Sequence, residues 1–113
     1  MKGSYKEHQK LLQTFFLQFQ ESFPKARIFQ RHVGLFLTQN GSPINIGSKG
    51  QADAWAYVPT IHGMIALEFE FKSGSAKQTK EQKNWENVIK EMGGHYFVVT
   101  NPAVTMLEVW LKK

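Results

Sequence analysis

The sequence predicts an α/β fold, a mixed β-sheet flanked by helices in the order α-β-β-β-α-β-α. Three observations carry this. The stretch "ALEFEFKSG", residues 66–74, alternates Leu67, Phe69 and Phe71 with Glu68, Glu70 and Lys72, the period of two that marks a strand. Residues 4–22 and 77–92 repeat apolar side chains at helical spacing. "HYFVVT", 95–100, follows the second of these helices as a buried strand, so a strand–helix–strand unit spans 64–100. Such a unit implies a right-handed crossover and at least one parallel pair.

Each element has a local reason. In the first helix Leu12, Phe15, Phe16 and Phe19 form the apolar stripe, broadened by Leu11. Ser4 and Glu7 fit a capping box at its start, and Pro24 bars its continuation. Residues 27–38 read as one or two strands, with Gly34 at a bulge or bend. "NGSPINIGSKG", 40–50, reads as a glycine-rich loop, and "QADAWAYVP", 51–59, as a short strand. A turn at 60–63 leads into the strand 64–72. Trp85, Val88, Ile89 and Met92 stripe the helix 77–92, which Gly93 and Gly94 end. Asn101 and Pro102 fit the start of a last helix that turns Val104, Leu107, Trp110 and Leu111 inward.

With 113 residues the chain reads as a single domain, 1–113. Hydrophobic content of 42% and charged content of 20% are those of a globular protein. No apolar run approaches the roughly 20 residues that span a bilayer, and the N-terminal residues have no signal-peptide core. The absence of cysteine excludes disulfides, thiolate zinc sites and a Cys nucleophile, and suits the cytoplasm. The net charge of +5 favours polyanionic partners, since each Lys or Arg that meets a phosphate releases counterions.

The charged row of 68–72 poses the chemical question. Residues two apart on a strand share a face, so Glu70 and Lys72 project together, their Cα atoms roughly 6–7 Å apart. Asp53 follows the flexible "GSKGQA" and begins the preceding strand. Consecutive strands usually neighbour one another, so Asp53 and Glu70 are expected to converge at one edge of the sheet. Two carboxylates and a backbone carbonyl suit Mg²⁺, a hard cation that takes oxygen ligands. A lysine two residues on can hold an attacking water or stabilise charge on a phosphate. Gln82 lies one turn before Trp85 on the inward stripe, where an amide needs a partner; it is either a buried structural group or part of the same site.

The spacing of these residues resembles the VRR-NUC family of the PD-(D/E)XK nuclease superfamily. The matching features are G-x-x-D at Gly50 to Asp53, E-x-K at Glu70 to Lys72, the run Lys80-Glu81-Gln82-Lys83-x-Trp85, and Gly93-Gly94. "RHVG", Arg31 to Gly34, looks like the segment that precedes the family's aspartate. The match covers about residues 7–100. It implies a restriction-endonuclease-like core and hydrolysis of DNA phosphodiesters with Mg²⁺, or Mn²⁺ as a substitute. Asp53 and Glu70 would bind metal with the Phe71 carbonyl, Lys72 would assist the nucleophilic water, and Gln82 would support the site. The glutamate of the family's first helix is matched best by Glu7, which the capping box also explains, and less well by Glu21. Glu68 shares the face of Glu70, but Glu70 has the ExK spacing; Glu68 would pair with a lysine or stand behind the site. The chain departs from the superfamily pattern in having Ala52, not Pro, before Asp53.

On this reading Arg31, Lys49, Lys77, Lys80 and Lys83 would contact phosphates without reading sequence. Small phage and bacterial members are the nearest type, and some relatives act as homodimers on branched DNA such as Holliday junctions. Phe15 to Phe23 or the region of Trp110 would supply a dimer contact. His8, His32, His62 and His95 show no zinc spacing, and no GxxxxGK[ST] phosphate loop is present. The alternative is a non-catalytic basic module that binds nucleic acid while its carboxylates only form ion pairs; a structural part of a larger assembly is a third reading.

Overall fold

The computed structural model describes residues 5–31, 34–37, 39–41, 43–46, 50–102, 104 and 107. The order is α1 (Tyr5–Ser22), β1 (Arg27–Gln30), β2 (Gly34–Leu37), β3 (Pro43–Ile46), β4 (Ala54–Thr60), β5 (Gly63–Phe71), α2 (Lys80–Glu91) and β6 (His95–Val99). Strands β1-β4-β5-β6 form one mixed sheet, and β2 and β3 pair separately as an antiparallel ribbon. The segment expected to be all loop, 40–50, therefore contains β3. Its four residues begin with Pro43, which a strand tolerates at its first position. The expected capping residue Ser4 and the last helix beyond Pro102, with Trp110, lie outside the described residues apart from Val104 and Leu107, both buried.

Strands β4 and β5 are joined by the tight turn Ile61-His62, with Gly63 at φ +115°. They pair antiparallel from Thr60↔Gly63 to Ala54↔Phe69. From β5 the chain crosses through α2 to β6, which pairs parallel, Leu67↔His95 through Phe71↔Val99. This is the expected crossover unit. One face of the sheet carries Leu67, Phe69, Phe71, Ala54, Ala56 and Val58 against Leu11, Leu12, Phe15 and Phe19 of α1. The Phe15 ring lies 5.1 Å from Phe69 and 5.3 Å from Phe71, centroid to centroid. Phe15 and Phe19 are thus spent on the core and offer no dimer contact.

The second helix begins at Lys80, three residues later than the apolar spacing suggested. Thr79 is the N-cap: its hydroxyl accepts the Gln82 N–H, and the Gln82 side chain accepts the Thr79 N–H at 2.8 Å. Of the expected apolar stripe only Ile89 is buried. Val88 is 45% and Met92 71% exposed; α2 packs on β6 and reaches the polar row of β5 through the Trp85 bond to Glu68.

The backbone of α2 also holds the loop before Asp53. At Gly50 φ is +82°, and a Cβ there would lie 2.3 Å from the backbone carbon and oxygen of Glu81. Both the left-handed conformation and the close approach require glycine. Gly50→Ala is expected to destabilise the fold by at least about 1–3 kcal/mol, read from the denaturant midpoint; a midpoint within error of the wild type would show that the loop does not pack against α2 this way.

Candidate active site at the end of strands β4 and β5

The other face of the sheet is built in rows. The register places Phe29, Trp55, Glu68 and Tyr96 side by side across β1, β4, β5 and β6. One step beyond the last β4–β5 pair, Asp53 falls opposite Glu70, with Arg31 next to it and Val98 on the far side. Along a strand two such rows are roughly 7 Å apart.

Asp53 reaches across to β5. Its Oδ2 accepts the Phe71 N–H at 2.7 Å, and its carbonyl accepts the Arg31 N–H at 2.7 Å. A strand residue points its N–H and C=O to the same edge, so the Phe71 carbonyl faces the side on which Asp53 lies. The loop-borne and strand-borne acids are therefore neighbours, as the sequence suggested.

Glu70 is 1% exposed. The Tyr96 hydroxyl donates a hydrogen bond to Oε1. Oε2 is buried without a hydrogen-bond partner, and the Lys72 Nζ stands 3.8 Å from it. Burial raises the Glu70 pKa, opposed by the Tyr96 hydrogen bond and by Lys72. The same burial, with the bond to Glu70, pushes the Tyr96 hydroxyl far up, so Tyr96 stays a donor.

Three residues complete this surrounding that the sequence reading did not single out for it. The His8 Nε2 lies 3.5 Å from Asp53 Oδ2, its ring edge-on to Phe71 at 6.5 Å. His8 stands four residues before Leu12 and seven before Phe15, so the helical stripe already pointed it inward. Tyr96 sits in a strand read as wholly buried, where a phenol needs a partner. Gln78 donates to Glu86 at 3.1 Å and to the Tyr96 hydroxyl at 3.5 Å, and also lowers the Glu70 pKa. Its place in an irregular turn left no pattern to read.

Two sequence expectations change. Gln82 was expected to support the site, but its carboxamide oxygen closes the helix cap; Gln78 is the amide that reaches the Tyr96 hydroxyl beside Glu70. Arg31 was expected on phosphate, but its guanidinium is committed inside the protein. It donates to Glu68 Oε1 at 2.6 Å and Oε2 at 3.0 Å, and to the Ala52 carbonyl at 3.2 Å. It also lies 4.7 Å from the Trp55 ring centre and 5.8 Å from that of Trp85. The Trp85 indole N–H donates to Glu68 Oε1 at 3.0 Å. Glu68 is thus paired with an arginine, not a lysine, and its oxygens are filled. That leaves Glu70 as the acid of the row with a spare oxygen.

Glu7 is exposed on the first turn of α1, one residue before His8. Lys77, Lys80 and Lys83 are exposed around the start of α2. Lys49 lies outside the described residues. Glu86 is held below the usual carboxylate range, first by its hydrogen bond with Lys90 at 2.6 Å.

The groups that could hold a cation here are Asp53, Glu70 Oε2 and, from the strand geometry, the Phe71 carbonyl. Among the described residues no group of three His, Asp or Glu side chains is arranged to hold a metal ion. A sparse, all-oxygen set nevertheless fits Mg²⁺, which binds through one or two carboxylates and keeps several waters. The unpartnered Glu70 oxygen is the observation that matches such an ion, since an unsatisfied buried acceptor is otherwise costly. Among the described residues no helix is long and apolar enough to cross a membrane.

No protein-family model matches the chain, and neither a curated protein nor a solved structure matches it.

Proposed function

We propose that the chain is a Mg²⁺-dependent endonuclease with a PD-(D/E)XK core of the VRR-NUC type, hydrolysing DNA phosphodiesters. The observation that carries this reading is the convergence of Asp53, bonded to the Phe71 N–H, with Lys72 and the Glu70 oxygen that lacks a hydrogen-bond partner, at one end of the sheet. A divalent cation held there would polarise the scissile phosphate and lower the pKa of a bound water. The chain's own groups have defined parts. Asp53 and Glu70 fix the position of the cation. The Lys72 ammonium, anchored beside Glu70, donates to the attacking water or to the phosphate oxygens as negative charge develops there. Tyr96 holds Glu70 in one orientation, and Lys77, Lys80 and Lys83 attract the backbone of the substrate. Selectivity for branched DNA and action as a homodimer belong to the same reading, by analogy with relatives of this type.

Among the described residues no third side-chain ligand joins Asp53 and Glu70, which favours a second reading, a basic module that binds nucleic acid without cleaving it. Incubation with duplex, single-stranded, flap and four-way-junction DNA in Mg²⁺ or Mn²⁺, with EDTA as control, separates the two. Asp53→Asn keeps an acceptor for the Phe71 N–H and is expected to fold while losing cleavage. Lys72→Ala is expected to slow cleavage by roughly a hundredfold. Metal-dependent nicking that survives both substitutions would remove the assignment, and binding with no nicking in any metal would favour the second reading.

A further inference from the structure

The candidate active site continues along the sheet into an aromatic surface that the core does not use. One row from Glu70 stand Phe29 and Trp55, stacked at 5.1 Å with 25° between their planes. Tyr57 meets Phe29 edge-on at 6.2 Å. Phe29 is 41% and Tyr57 40% exposed, high for rings of this size on a sheet face. The residue beside Tyr57 on β5 is Ala66, itself exposed, so no neighbouring side chain on that strand stands over the ring. Trp55 is backed by the Arg31 guanidinium, which Glu68 locks in place, so this part of the surface is rigid. Arg27, exposed, lies beside Tyr57 in the register, with exposed Lys25 in the turn before it. No carboxylate is among the exposed residues of these rows, and the chain carries a net charge of +5.

We infer that Phe29 and Tyr57, with Arg27, form a stacking platform for unpaired bases of a single-stranded nucleic acid that runs along the sheet from the Asp53–Glu70 site. Exposed rings offer every base a π-face, and the flanking cations attract the phosphates, so binding needs no sequence readout. The step between rows is roughly 7 Å, a reach that an extended nucleotide spans. A strand with its phosphate at the site would place its next bases over Phe29 and Tyr57. The rings already hold their orientation, so little freedom is lost on binding. A second copy of the chain would also cover apolar rings, but exposed Arg27 and Lys25, with no exposed carboxylate in these rows, favour a polyanion.

The link to the cleavage site rests on the endonuclease reading; the platform itself does not. Binding is therefore measured in EDTA, by fluorescence anisotropy of a labelled oligothymidine strand and of a labelled duplex. Phe29→Ala and Tyr57→Ala are each expected to weaken single-strand binding by roughly tenfold and to leave duplex binding unchanged, while Tyr57→Phe retains wild-type affinity. Arg27→Ala is expected to flatten the salt dependence. Wild-type protein that fails to bind the oligothymidine, alanine variants that bind it as the wild type does, or equal losses on the duplex would each overturn the platform. So would ring substitutions that split a dimer in sedimentation while each chain keeps its single-strand affinity. Absence of cleavage with this pattern intact would count against the endonuclease reading alone.

Discussion

Arg31→Ala is expected to destabilise the protein by about 3–5 kcal/mol, seen as a large fall in the urea midpoint. The cost comes from what it leaves behind. Arg31 and Glu68 have side chains only 15% and 11% exposed. Without the guanidinium, Glu68 keeps the bond from the Trp85 N–H, the Ala52 carbonyl loses a donor, and two tryptophan rings lose the cation beside them. The double variant Arg31→Met with Glu68→Leu removes both charges together and is expected to recover most of the loss, because a buried pair replaced by apolar groups of like volume is often neutral. If Arg31→Ala costs less than about 1 kcal/mol, the pair behaves as a surface contact and the reading of Arg31 as an internal clamp fails.

Glu70→Gln is expected to move activity and stability in opposite directions. Cleavage should fall by at least roughly a hundredfold, since a neutral amide gives up the charge on the partnerless oxygen. Stability without metal should rise at neutral pH. Burial is the leading cause that raises the Glu70 pKa, so the folded protein holds this proton more tightly than the unfolded chain. The contribution of Glu70 to stability is then complete below the ordinary value of 4.5 and is lost as pH rises through the folded value. Glutamine never ionises and escapes that loss. Melting curves of both proteins in EDTA should converge in acid and separate, with the variant higher, as pH increases. Added Mg²⁺ should then stabilise the wild type and not the variant, by mass action. A variant less stable than the wild type at neutral pH in EDTA would show that ionised Glu70 is well accommodated by Lys72 and Tyr96.

Local patterns in the sequence carried as far as periodicity reaches. The alternation of Leu67, Phe69 and Phe71 with Glu68, Glu70 and Lys72 is a property of one strand, and the structure keeps it. The stripe of α1 is likewise local, and Leu12, Phe15 and Phe19 are buried as it requires. Asp53 and Glu70 could be placed together because adjacent strands joined by a tight turn leave little choice of neighbour. What failed depends on contacts remote in the chain or on competition between roles. Glu68 meets Arg31 across 37 positions, which no spacing rule reports. Gln82 looked like a site amide, yet Thr79 three residues earlier makes it a capping partner, a pattern that was there to be read. The short β3, with a proline and an asparagine in four residues, has too little β propensity to stand out from its loop.

The bond from the Tyr96 hydroxyl to Glu70 joins two strands that are adjacent in space but separated along the chain by the whole of α2. Parallel pairing of β6 must wait for the whole crossover to emerge and close, and such non-local pairings form slowly. A growing chain that has not yet delivered His95–Val99 therefore holds Glu70 untethered. On the endonuclease reading, the site would then be assembled only once the crossover through α2 has closed.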